Sequence, residues 1–165
     1  MEMDLGSAII GAVAIMICIL PFIMMSNSRK KREKLFLQAL SGIAAQNNCQ
    51  IGYHEIFGNF AIGFDSSKNF VFFYKQTKDN KQEQSVDLEG IQNCKVINVS
   101  RTFKSKEESH QVIDRLELCF TPMLKNKSEI KLEFFNADLN LQLYDELKAI
   151  ENWSKMIKDR LLLKK

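Results

Sequence analysis

The sequence predicts an α+β protein in which two N-terminal helices precede a seven-stranded antiparallel barrel or sandwich and a final helix. Three observations lead to this prediction. An uncharged apolar run covers Ser7–Met25, alternating apolar residues recur at roughly ten-residue spacing between residues 50 and 135, and helical spacing returns after residue 141.

The apolar run is long enough to cross a bilayer. As a helix, Ser7–Met25 would extend roughly 28 Å, close to the ~30 Å hydrocarbon thickness. A cleaved signal peptide would have basic residues before the run and small residues after it, but Glu2 and Asp4 precede it and Met24-Met25 ends it. A buried core helix would show a polar face, which this run lacks. We therefore predict an uncleaved transmembrane helix whose partner is the lipid bilayer.

Basic residues on one side of this run set its orientation. They are Arg29, Lys30, Lys31, Arg32 and Lys34, and residues 1–6 contain no Lys or Arg. The positive-inside rule then predicts a short extracytoplasmic tail at residues 1–6 and a cytoplasmic location for the rest, in a single-pass protein of the inner (plasma) membrane. The five basic residues are also candidate contacts for anionic lipid. Glycosylation-type triplets beginning at Asn98, Asn126 and Asn152 would fit the opposite topology, but the charge bias outweighs them.

A second helix is predicted from Lys31 to Asn47, within a basic juxtamembrane segment at residues 26–47. Its apolar stripe includes Phe36, Leu40 and Ile43. This stripe could dock on the following domain, or the helix could lie on the lipid surface. Docking is favoured because the basic residues are concentrated at one end and do not line a face.

Alternation between apolar and polar residues predicts the strands. They are Gln50–Phe57, Phe60–Asp65, Phe70–Lys75, Ser85–Leu88, Ile91–Arg101, Val112–Phe120 and Ile130–Phe135. Gly58-Asn59 is typical of a tight hairpin turn. In the last strand, Ile130, Leu132 and Phe134 are predicted to face the core.

A final amphipathic helix is predicted from about Leu141 to Leu162, with Asp138 as the first choice for its N-cap. Its apolar stripe would close an open end of a barrel. The residues predicted to do so are Leu147, Ile150, Trp153 and Ile157.

Composition argues against several kinds of chemistry. The net charge is +3, and Arg29–Lys34 accounts for it, so the remaining chain is close to neutral and nucleic-acid binding is not expected. Neither His54 nor His110 has ligand spacing to a cysteine or carboxylate cluster, so no metal is expected. Cys94 and Cys119 are predicted to point to opposite faces as free thiols. No catalytic motif is present, so we expect no enzymatic activity and no cofactor.

The order of seven strands and one helix resembles the pleckstrin-homology-like barrel. The segment Ala149–Ile157, with its Trp153, is similar to that family's C-terminal helix, and the resemblance covers about residues 50–162. It implies a binding module. Phosphoinositide-binding members use basic residues in the loops after the first, third and sixth strands. Here the first loop, Phe57-Gly58-Asn59, has none, and the other two carry a candidate loop site formed by Lys78, Lys81, Lys125 and Lys127.

Two stretches, IGFDSSKNFVFF at residues 62–73 and VDLEGIQNC at residues 86–94, also resemble small membrane-anchored bacterial proteins of the Bacteroidetes group. That likeness implies no activity. We therefore expect residues 48–165 to form a pleckstrin-homology-like domain that acts as a membrane-anchored protein-interaction module, an adaptor or scaffold for a protein or peptide. The alternative is a surface module that senses anionic lipid.

Overall fold

The computed structural model describes residue 15 and residues 29–78, 80–104, 109–139 and 142–163. Its elements follow the predicted order. They are α1 (residues 29–46), β1 (Tyr53–Ile56), β2 (Phe60–Asp65), β3 (Phe70–Gln76), β4 (Lys81–Asp87), β5 (Ile91–Lys104), β6 (Ser109–Pro122), β7 (Ile130–Asn136) and α2 (Glu146–Leu162).

The strands form two antiparallel meanders. Sheet A has the order β1-β2-β3-β4 and sheet B has the order β5-β6-β7. The α+β class is confirmed, but within the described ranges no strand pairing joins the sheets into one closed barrel. A short 3-10 turn at Leu88–Gly90 separates β4 from β5, and the Asp87 carboxylate accepts the Glu89 N–H there at 2.8 Å. This turn redirects the chain, so β5 begins a new sheet.

The main core lies between the two sheets and α2. Sheet A contributes Phe60, Ile62 and Phe73, and each is fully buried. Cys94 faces this core, whereas Cys119 lies on the other side of sheet B with its thiol donating to Glu129 Oε2 at 3.2 Å. The opposite orientation of these two cysteines is therefore confirmed.

A bulge in β7 brings two consecutive aromatic residues into the core. Leu132 pairs with Leu118 and Phe135 pairs with Leu116, and the register shifts between these pairs. Phe134 is the extra residue, yet it is fully buried, with its ring centroid 4.9 Å from that of Phe60. The predicted inward residues Ile130, Leu132 and Phe134 all contact the core, and the bulge adds Phe135, which alternation did not predict.

A second core lies on the outer face of sheet A, which α1 covers. Phe36, Leu40 and Ile43 from α1 pack against Phe72 and Tyr74. The central strands β2 and β3 are thus buried on both faces, which explains why Phe70–Tyr74 of β3 are all apolar. The docked placement of the juxtamembrane helix is the one observed.

The C-terminal helix begins later than predicted. Asp145 is its N-cap residue, while Asp138 lies in the turn after β7, where its N–H binds Asn136 Oδ1 at 3.0 Å. Asp138 is therefore not the cap. The Glu146 carboxylate accepts the Tyr144 N–H at 2.7 Å.

The predicted span Ser7–Met25 lies outside the described residues except for Ile15, which is helical and exposed. In the described part of the chain, no helix combines the length and apolar composition needed to cross a membrane.

Candidate functional site

One candidate site is the free edge of β5. In the described ranges, β5 pairs only with β6. The Cys94 N–H is bound by the Asn93 side-chain oxygen at 2.8 Å, so it points away from β6. Backbone groups of an antiparallel strand alternate between its two edges, so the N–H groups of Val96 and Asn98 share this free edge. The edge thus offers donors and acceptors to another extended chain.

A groove of about 430 Å³ runs beside this edge, between β5 and α2. Its apolar residues are Val96 and Leu162, and its charged residues come from successive turns of α2. The charged residues are Glu151, Lys155, Lys158 and Asp159. A second depression of about 540 Å³ lies at the start of β5 and shares Lys158 and Leu162 with the groove. Together, these two depressions follow β5 along α2.

A separate cleft lies where α1, the β1–β2 turn and the start of α2 meet. Its volume is about 470 Å³. Its lining combines aromatic and apolar side chains with both signs of charge. The residues are Arg29, Arg32, Glu33, Phe36, Ile56, Phe57, Gly58, Tyr144, Asp145 and Glu146. We call it the α1 cleft.

The five basic residues predicted to contact anionic lipid divide into two groups. Arg29 and Arg32 line the α1 cleft, and the Arg32 guanidinium lies over the Phe36 ring at 5.4 Å. Lys30, Lys31 and Lys34 do not line this cleft, and they are exposed on α1.

The four loop lysines are also exposed, but they lie in two separate turns. Lys78 belongs to the β3–β4 turn and Lys81 is the first residue of β4. This end of the hairpin lies beside the β1–β2 turn, where the Gln76 N–H binds Asn59 O at 2.8 Å. Lys125 and Lys127 belong to the β6–β7 turn. The Met123 N–H of this turn binds the oxygen of Gly90, which follows the C-terminal end of β4. The length of β4, roughly 20 Å, separates the two turns.

The residues predicted to close the core on α2 all contact it. Ile150, Trp153 and Ile157 are fully buried, and Leu147 packs against them while partly exposed. The Trp153 Nε1–H donates to Glu55 Oε2 at 2.7 Å, which adds a polar link to β1. This link was not foreseen from the sequence.

The most buried titratable groups have structural partners. Lys75 Nζ lies 2.7 Å from Glu133 Oε1 and joins the two sheets. Burial raises the pKa of the Cys94 thiol to about 12, so it is a poor nucleophile. His54 is exposed in β1, and His110 lies in β6. No grouping of three or more His, Cys, Asp or Glu suited to a metal ion occurs in the described residues.

The groove and the α1 cleft were both missed by sequence reasoning. The groove joins a strand to a helix more than fifty positions later, and the cleft joins three segments. The only sequence signal for the cleft was the spacing of Arg29, Arg32, Glu33 and Phe36, which places them on one face of a helix. Comparison with known proteins finds no matching family model, curated protein or solved structure.

Proposed function

We propose that this protein is a membrane-anchored interaction module that binds an extended peptide segment of a partner protein along β5. The proposal assigns residues 7–25 to the membrane and the described domain to the cytoplasm. It also assigns the domain to the pleckstrin-homology-like class. Meanders of four and three strands, followed by a helix with a buried Trp153, support that assignment because they follow the element order expected of the class.

The observation that carries the proposal is the second edge of β5, which pairs with no strand of the described ranges and lies beside a groove. An incoming strand would pair with the backbone groups of Val96 and Asn98, as in other complexes formed by strand addition. Unprotected edges invite such pairing, and proteins usually cover or charge them.

The groove sets the chemistry of the expected peptide. Val96 and Leu162 offer an apolar surface to alternate side chains, while Glu151 and Lys155 offer both signs of charge one helical turn apart. We therefore expect a segment with apolar residues at every second position and mixed charges between them, without proline at its pairing positions.

A proline scan of the edge tests this function. Peptides are selected from a display library against the full chain in detergent micelles and are then titrated against Asn98→Pro and Asn98→Ala. Proline removes the outward N–H without removing a bond to β6, whereas alanine retains that N–H. We expect Asn98→Pro to weaken peptide binding about tenfold, which corresponds to the net contribution of about one hydrogen bond. Asn98→Ala should bind the peptide with unchanged affinity.

Equal affinity of both variants would reject strand addition. A selection that yields only peptides insensitive to groove variants such as Lys155→Glu would reject the groove as the binding surface. The anchoring part of the proposal has its own test, since a C-terminal reporter that is active only in the cytoplasm should be active on the full chain.

A second candidate function is the sensing of anionic lipid. It is favoured by the exposed side chains of Lys30, Lys31 and Lys34 next to the predicted span. This function predicts that the domain approaches phosphatidylglycerol-containing bilayers more closely than neutral ones, in proportion to the number of basic residues retained. Fluorescence energy transfer from a labelled domain to labelled lipid measures this approach.

A further inference from the structure

We propose that the α1 cleft binds the zwitterionic headgroup of a phosphoethanolamine lipid, with its phosphate on the arginine side and its ammonium on the carboxylate side. The inference goes beyond peptide binding at β5. It rests on the anchoring part of the proposed function, because the anchor places the cleft at the lipid surface.

The carboxylate side of the cleft contains a buried acid for which the described residues provide no cationic partner. Glu146 is only 7% exposed, and its carboxylate accepts a hydrogen bond from the Tyr144 N–H. Within the described residues, no ion pair joins its carboxylate to a Lys or Arg. The first turn of α2 favours a negative charge at this position, and an ammonium group with three donors would add a direct cationic partner to it.

Two further groups favour a cation at the same side. Asp145 is exposed in the lining of the cleft and adds negative charge next to Glu146, whereas Glu33 lies on the arginine face of α1. The aromatic ring of Tyr144, which is 71% exposed, also lines the cleft and offers a face to an alkylammonium group.

The arginine side is suited to a phosphate. Arg29 and Arg32 are three positions apart on α1, so their side chains emerge on the same face of the helix. The Phe36 ring supports the Arg32 guanidinium. Planar guanidinium groups bind phosphate oxygens in pairs, which a lysine ammonium does not do.

The position of the cleft identifies the source of the ligand. Arg29 follows Met25, the end of the apolar run, by four residues. Even a fully extended chain would separate them by only about 14 Å. A headgroup in the surrounding leaflet is therefore within reach of the cleft, whereas a soluble metabolite would have to compete with it.

The test measures lipid retention by the full chain. The protein is purified in detergent with equimolar phosphatidylethanolamine, phosphatidylcholine and phosphatidylglycerol, and retained lipid is counted by native mass spectrometry. We expect phosphatidylethanolamine to be retained several-fold over the other two. Trimethylation prevents the choline headgroup from donating hydrogen bonds to Glu146, and the glycerol headgroup has no cation.

Matched double variants separate the cleft from general attraction. Arg29→Gln/Arg32→Gln and Lys30→Gln/Lys31→Gln remove the same charge from opposite faces of the same turn of α1. We expect about a tenfold loss of phosphatidylethanolamine retention in the arginine pair only. Glu146→Gln should cause a similar loss, and if that variant does not fold, the exposed arginine pair decides.

Three outcomes would overturn the proposal. One is equal retention of the three lipids. Another is an equal loss in both double variants. The third is displacement of the lipid by soluble phosphoethanolamine at comparable concentration, which would assign the cleft to a free ligand. Asn98→Pro should leave lipid retention unchanged, so failure of peptide binding at β5 would be distinguishable from failure here. Since the assay is performed in detergent, a wrong orientation of the anchor would not alter it.

Discussion

Trp153 and Glu55 are joined by a hydrogen bond of 2.7 Å from the indole Nε1–H to Oε2. Glu55 lies on β1, the edge of sheet A, whereas Trp153 lies on α2, which packs mainly on sheet B. The other oxygen of Glu55 accepts the Tyr53 hydroxyl at 2.6 Å, and this bond raises the pKa of Tyr53. The Glu55 carboxylate thus links α2 to sheet A, although α2 packs mainly on sheet B.

Replacing Trp153 should separate its two contributions. We expect Trp153→Ala to lower the free energy of unfolding by about 3–5 kcal/mol, because it leaves a large cavity in the core. Trp153→Phe retains most of the packing and should cost about 1–2 kcal/mol for the lost hydrogen bond. Urea unfolding of the full chain in detergent measures both. If Trp153→Phe costs the same in a Glu55→Ala background as in the parent, the hydrogen bond contributes nothing.

The ion pair between the sheets should respond asymmetrically to the loss of either partner. The Lys75 side chain is 4% exposed and that of Glu133 is 23% exposed. Glu133→Leu leaves the Lys75 ammonium, among the described residues, with the backbone carbonyl of residue 133 as its one remaining partner, so we expect a loss of about 3–5 kcal/mol. Lys75→Met should cost less, since Asn136 still donates to Glu133 at 3.0 Å.

The double variant Lys75→Met/Glu133→Leu provides the control for this pair. It removes both charges and should recover most of the stability lost in Glu133→Leu. A double variant that is as unstable as the sum of the two single variants would show that the two groups do not interact in the folded protein.

Asp65 should make the fold sensitive to acid. Hydrogen bonds from the Ser67 side chain, and from the backbone N–H groups of Gln50, Ser67 and Lys68, lower the pKa of this carboxyl despite its burial. A depressed folded-state pKa means that the stabilisation is fully present above the ordinary value of about 4 and is lost as the pH falls below it. We expect Asp65→Asn to be less stable than the parent at pH 7 and the difference to shrink below pH 4. Thermal melting across this range measures it, and a constant difference would contradict the assignment.

Gly63 should control the docking of α1. A Cβ atom at this position would lie 3.2 Å from Ile51 Cγ2 and 3.6 Å from Leu40 Cδ1. Alanine requires a small shift of Ile51, whereas leucine would displace α1 from sheet A. We expect Gly63→Leu to accelerate hydrogen exchange of residues 36–44 while exchange in β2 and β3 changes little. Gly63→Ala is the matched control, and uniform acceleration across the domain would mean that the variant destabilises the whole fold.

Much of the strand pattern was predictable because local signals agreed. Phe60–Asp65 was predicted with the bounds observed, since apolar residues are bounded by turn residues on both sides. β4 was predicted too short because Lys81–Glu83 are polar. These residues belong to an edge strand with an exposed face, where backbone pairing with β3 suffices to hold them.

The missed features depend on tertiary packing. A bulge in β7 cannot be recognised from alternation, because Phe134 and Phe135 both look acceptable on either side of the strand. The late start of α2 follows from Asp145, where the helix begins beside the α1 cleft and not after Asp138. The cleft itself requires three segments to meet, and no periodicity in any one of them reveals the others.

The burial of β2 and β3 on both faces has a practical consequence for the boundary at residue 48. A fragment that begins at residue 48 would not fold as an independent unit. It would lack α1, which covers Phe72 and Tyr74, and these aromatic side chains would be exposed to water. Such a fragment should precipitate or self-associate, whereas a fragment that begins at residue 29 retains α1 over the outer face of sheet A. The helix α1, which follows the predicted anchor, is therefore part of the folded domain and not a linker to it.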